Sequence, residues 1–117
     1  MKENAVKNKS FSLAIEIVHL YRFLCEDKKE FVMSKQLLRS GTAIGALARE
    51  SEHAESKLDF IHKLSIALKE ANESQYWLEL LFQSNYLSKE LFEKINLQLT
   101  EVLKLLTAII KSSKTNQ

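Results

Sequence analysis

The sequence predicts an all-α fold, an antiparallel up-down-up-down four-helix bundle, from three observations. Proline is absent and glycine occurs only twice in 117 residues, so almost nothing punctuates strands, hairpins or flexible linkers. Leu, Lys, Glu and Ala, all good helix formers, dominate the composition. Apolar residues recur at helical spacing through four segments joined by short polar turns. With 45% hydrophobic residues the chain can fill one continuous core, and its length suits a single domain over 1–117.

Residues 1–9 and 112–117 are polar, lack apolar periodicity and are expected to fray. The first helix is expected over 10–27, with Ser10 as its N-cap and the charged turn EDKKE after it. The second is expected over 31–53. The third, over 56–84, opens on Ser56-Lys-Leu-Asp59, a capping box whose acid stands at N3. The fourth, over 88–111, opens on Ser88, with Glu90 suited to the positive end of the helix dipole. Connections this short make each helix run antiparallel to its predecessor.

At about 100° per residue, the fourth helix is one-sided: Leu91, Phe92, Ile95, Leu99, Val102, Leu103, Leu106, Ile109 and Ile110 share a face. The first helix carries apolar residues over well over half its circumference, from Phe11 to Cys25, more than one bundle corner needs. Leu13, Ile17, Leu20 and Leu24 are therefore assigned to an oligomer interface. On the third helix Ile66, Tyr76, Trp77 and Leu80 lie away from the core stripe and join that interface; the alternative is that Trp77 folds over the bundle edge.

In RSGTAIGALA, residues 39–48, small side chains replace bulky ones over almost three turns. Each helical glycine costs about 1 kcal/mol relative to alanine. Close helix packing at Ser40, Gly41, Ala43, Gly45 and Ala46 offsets that cost. A phosphate-binding loop would need the glycines in a turn after a strand, followed by Lys and a hydroxyl, and that pattern is missing.

The blocks QLLRSGTAIGA and ESKLDFIHKLSIALKEANESQYWLELL, with the spacing between them, resemble the bacterial four-helix-bundle proteins called 23S ribosomal RNA intervening-sequence proteins. With weaker agreement in the outer helices, the resemblance covers residues 10–110. Relatives tend to carry Asn and Ile where this chain has Leu47 and Ala48, followed by an acid that matches Glu50. The resemblance implies an antiparallel bundle that forms a ring-shaped homopentamer, with some members encoded inside insertions in ribosomal RNA genes. A similar bundle serves reverse transcriptases as an accessory protein, through a basic ring that contacts nucleic acid.

Chemistry finds no foothold in the sequence. No nucleophile, base and orienting acid stand at a recognisable spacing, so no enzyme is expected and no catalytic residue is assigned. His19, His53 and His62 form no His-x3-His or Glu-x-x-His pair, so no metal and no cofactor are expected. The single Cys25 cannot form an internal disulfide and fits a reducing compartment. A polar N-terminus and the lack of a long apolar run point to a cytoplasmic protein without a membrane partner. The expected partner is a second copy of the chain. The alternative partner is RNA or DNA, although a net charge of +2 is weak for that role. Its candidate contacts are Arg22, Lys28, Lys29, Lys35 and Arg39, interrupted by Glu26, Asp27 and Glu30.

Overall fold

A computed structural model describes residues 2–115. Among them are four helices and no strand: α1 (Lys2–Glu26), α2 (Met33–Ser51), α3 (Lys57–Gln83) and α4 (Lys89–Thr115). Each packs against its neighbours in the cyclic order α1, α2, α3, α4, and among the described residues the backbones of the diagonal pairs stay apart, giving the up-down-up-down bundle. The rod measures 48 × 21 × 19 Å.

The outer helices are longer than the sequence suggests. Ser10, expected as an N-cap, lies inside α1, is fully buried, and its Oγ donates to the Lys7 carbonyl at 3.1 Å. One helical turn earlier Val6 is also buried, so a core stripe of Val6, Ser10, Leu13, Ile17, Leu20 and Leu24 runs along the helix. Lys7 and Lys9 hold this extension to the bundle through ion pairs with Glu52 and Glu101. At the other terminus α4 continues past Lys111 to Thr115. The expected fraying of residues 1, 116 and 117 lies outside the described residues.

α2 is shorter than expected at both ends, and Glu30 accounts for its start. Its buried carboxylate accepts backbone N–H bonds from Val32 at 3.0 Å, Met33 at 3.1 Å and Ser34 at 2.7 Å, while Ser34 Oγ donates back to the Glu30 carbonyl. These are donors that a helix start leaves without intrahelical partners. Phe31 and Val32 thus become exposed turn residues. Burial works to raise the Glu30 pKa, but the backbone donors and Ser34 outweigh it and hold the carboxyl below its ordinary range.

At α3 the Ser56 hydroxyl accepts from Asp59 N at 3.0 Å and Asp59 accepts from Glu55 N at 3.1 Å, a reciprocal cap shifted by one residue from the standard box. The helix ends in a Schellman turn: Asn85 takes φ 68°, Tyr86 N donates to the Leu81 carbonyl and Asn85 N to that of Phe82. Ser88 caps α4 by accepting from Leu91 N at 3.2 Å.

The core is aliphatic, with Leu13, Ile17, Leu24, Leu37, Ile44, Leu64, Leu78, Leu81, Ile95, Leu99, Val102 and Leu106 fully buried. This corrects the assignment of Leu13, Ile17, Leu20 and Leu24 to a subunit contact. All four are at most 3% exposed within the single chain, because α1 sits between α2 and α4 and turns them inward.

Candidate interaction surface

The α2/α3 seam carries the most elaborate polar structure. Inside, the hydroxyls of Ser40 and Ser74 lie 2.8 Å apart and both residues are fully buried. Outside, the Arg39 guanidinium donates to Glu70 at 3.2 Å and also to Glu73. Trp77 Nε1 donates to Glu73 Oε2 at 3.0 Å. That indole bond first, and Arg39 second, hold the Glu73 carboxyl below its ordinary value despite some desolvation. Arg39, expected from the sequence as a candidate nucleic-acid contact, is thus engaged across the seam.

Trp77 is half-buried against the core, and Tyr76 stands edge-on to it, ring centroids 5.0 Å apart, with 59% of its own surface exposed. Leu80, one turn on, and Ile66, further back along α3, are half-buried. Of the four α3 residues assigned to an interface, Tyr76 is the most open and the other three form its half-sunken surround.

Gly41 and Gly45 face α1. A Cβ at Gly41 would lie 3.1 Å from both Cγ atoms of Ile17, tighter than ordinary contact, so glycine lets this β-branched side chain seat against α2. A Cβ at Gly45 would meet the Ser10 carbonyl oxygen at 3.4 Å, close to ordinary contact. Ser40 packs on α3, Ala43 is half-buried, and Ala46 is exposed, which removes it from close packing within the chain. Ala46 instead helps floor an apolar groove with Phe11, Ala14 and Gly45, where Arg49 lies 5.1 Å over the Phe11 ring.

The apolar excess of α1 that does remain outside is Phe11, 51% exposed, and Ile15, 43% exposed. Sequence reasoning placed the excess on the wrong residues. The heptad that starts at Val6 would have separated the inward stripe from this outward pair, had the helix been extended to its true start.

Arg22, Lys28, Lys29 and Lys35 are exposed at the end of the bundle where α1 gives way to α2. Lys29 makes the turn in the left-handed region at φ 55°, and Lys28 lies 5.8 Å over the Phe23 ring. Cys25 is a free, half-buried thiol 3.9 Å from the Ser34 hydroxyl. Among the described residues no cluster of His, Cys, Asp and Glu could hold a metal, and no helix is long and apolar enough to cross a membrane.

A family model described as the 23S rRNA-intervening sequence protein matches residues 2–108. The chain belongs to this family. It is similar, at 60% identity and a TM-score of 0.93, to a crystal structure of a protein of unknown function from the S23 ribosomal protein family of Bacteroides thetaiotaomicron VPI-5482. That similarity covers 95% of this chain and 99% of the other. Among curated proteins none matches. The family match starts at residue 2, as α1 does, so the N-terminal segment expected to fray belongs to the shared bundle.

Proposed function

We propose that this chain is a non-enzymatic interaction module that assembles with copies of itself into a ring, five-membered as the family resemblance implies. The observation that carries this reading is the Tyr76 ring, 59% exposed on a rigid helix beside Trp77 and Leu80. A large aromatic side chain held by its neighbours, with a charged network on one flank, has the anatomy of an interface centre. Phe11 and Ile15 offer a second apolar area on the far side of α2, as a head-to-tail ring requires. Light scattering coupled to size exclusion tests the reading. A mass of five chains is expected at micromolar concentration, and a particle of 13.5 kDa overturns it.

A second reading, an accessory protein for RNA or DNA, is supported by exposed Phe31 in the turn that carries Lys28 and Lys29, with Lys35 in the first turn of α2, since an aromatic among cations can stack a base. A ring would repeat that weak patch and raise its avidity. Anisotropy titrations with an RNA oligonucleotide should show binding that weakens as salt rises; no binding at low salt removes this reading.

A further inference from the structure

Ion pairs join three of the four seams of the bundle. Lys7 to Glu52 ties α1 to the end of α2, Lys9 to Glu101 and Lys94 to Glu16 tie α1 to α4, and Arg39 ties α2 to Glu70 and Glu73 on α3. None of these pairs crosses the α3/α4 seam. That seam instead opens into a groove whose apolar floor is Leu68, Leu103 and Ala108 and whose edge carries Lys104 and Lys111. No carboxylate lines it, and neither lysine has an ion-pair partner among the described residues. Leu97, 63% exposed, continues the same face of α4 toward its N-terminus. From Leu97 to Lys111 the face runs for about 21 Å at 1.5 Å per residue. Across the other three seams Lys7, Lys9, Lys94 and Arg39 meet the chain's own acids; at this seam an apolar strip and two lysines without an ion pair stand side by side.

We infer that the α3/α4 groove docks an acidic amphipathic helix of a partner protein, its apolar side on Leu68, Leu103 and Ala108 and its carboxylates on Lys104 and Lys111. The apolar floor selects a helix over a plain polyanion, and the lysines select acidic flanks over basic ones. The length of the face matches roughly four turns of helix. This surface lies on the opposite flank of α3 from the Arg39–Glu73–Trp77 network, so docking and self-assembly use separate faces.

The full-length protein is titrated against a fluorescent synthetic helix of sixteen or so residues with Leu at every third and fourth position and Glu on both flanks. Two control peptides replace Glu by Lys, or Leu by Ser, and a single-stranded RNA of similar charge is the fourth probe. The acidic amphipathic peptide is expected to bind, the controls and the RNA at least about tenfold more weakly. The double variant Lys104→Glu/Lys111→Glu, both sites exposed, should lose about tenfold in affinity for it and gain affinity for the Lys peptide, with its own particle mass unchanged. Hydrogen exchange should show protection over residues 65–72 and 100–111. No binding, equal binding by the Ser peptide or the RNA, protection confined to another surface, or a changed mass for the double variant would each overturn the assignment, the last by showing that a second copy covers the groove.

Discussion

α2 meets its neighbours partly through small side chains, where α3 meets the start of α4 through a stacked pair of rings. Against α1 it presents Gly41 to Ile17 and Gly45 to the Ser10 carbonyl, and against α3 it brings Ser40 to Ser74. The α3/α4 seam begins instead with Phe82 stacked on Phe92, centroids 4.3 Å apart and planes 12° from parallel, just below the Schellman turn that joins the two helices. Small residues bring helix backbones together but leave no room to spare, while large ones fill space and leave grooves between their tips. The two kinds of seam should therefore fail in opposite ways, α2's by overfilling and α3/α4 by emptying.

The largest effect is expected from Gly41→Leu. The new side chain must enter the space of buried Ile17, and a loss of about 3 kcal/mol in urea unfolding is expected, at the upper end of overpacking costs. A loss below about 1 kcal/mol would mean the seam has slack. Phe92→Ala removes half of the stack on a half-buried residue and should cost about 2 kcal/mol, less than truncation of a fully buried Phe. If Phe92→Ala proved costlier than Gly41→Leu, the contrast between the seams would be reversed.

Smaller still is the contribution of Glu30, which seats the N-terminus of α2. Glu30→Gln should cost about 1 kcal/mol at neutral pH, the usual worth of a cap. Because the folded-state pKa lies below the unfolded one, the carboxylate stabilises the fold fully above about pH 4.3, and that advantage is lost as pH falls through the lower folded value. Unfolding curves of the two proteins should converge in acid and separate toward neutrality. A gap that is constant with pH would assign the effect to something other than the charge.

The bundle was legible because its signals are local and repeated: lack of proline, helical apolar spacing, and serines at 56 and 88 that do cap α3 and α4. The start of α1 was hidden because its first two turns carry one apolar contact, Val6, among Lys and Asn residues, and gain their burial from helices distant in sequence. Glu30 read as an acid in a charged turn, since nothing in the sequence says that its carboxylate folds back over the next helix. Surface assignments fared unevenly for a related reason. The exposure of Tyr76 was recognisable from the face it occupies on α3, whereas Leu13, Ile17, Leu20 and Leu24 were placed outside because an apolar excess on α1 does not say which of its residues turn inward. Arg39 looked free because Glu70 and Glu73 lie on another helix. The lysines of the α3/α4 groove drew no notice, being unremarkable until the pairing of the other seams is known.

Outside the α2/α3 seam, which Ser40 and Ser74 join within, stands the aromatic patch of Tyr76 and Trp77, the proposed assembly surface. The direct test is the particle mass of Tyr76→Glu beside that of the unaltered chain, measured by sedimentation at equal micromolar concentration with helix content followed by circular dichroism. The unaltered chain should be a multimer of 13.5 kDa subunits and Tyr76→Glu a monomer of equal helix content. A variant that stays fully assembled, or an unaltered chain that is already a monomer, would contradict the account.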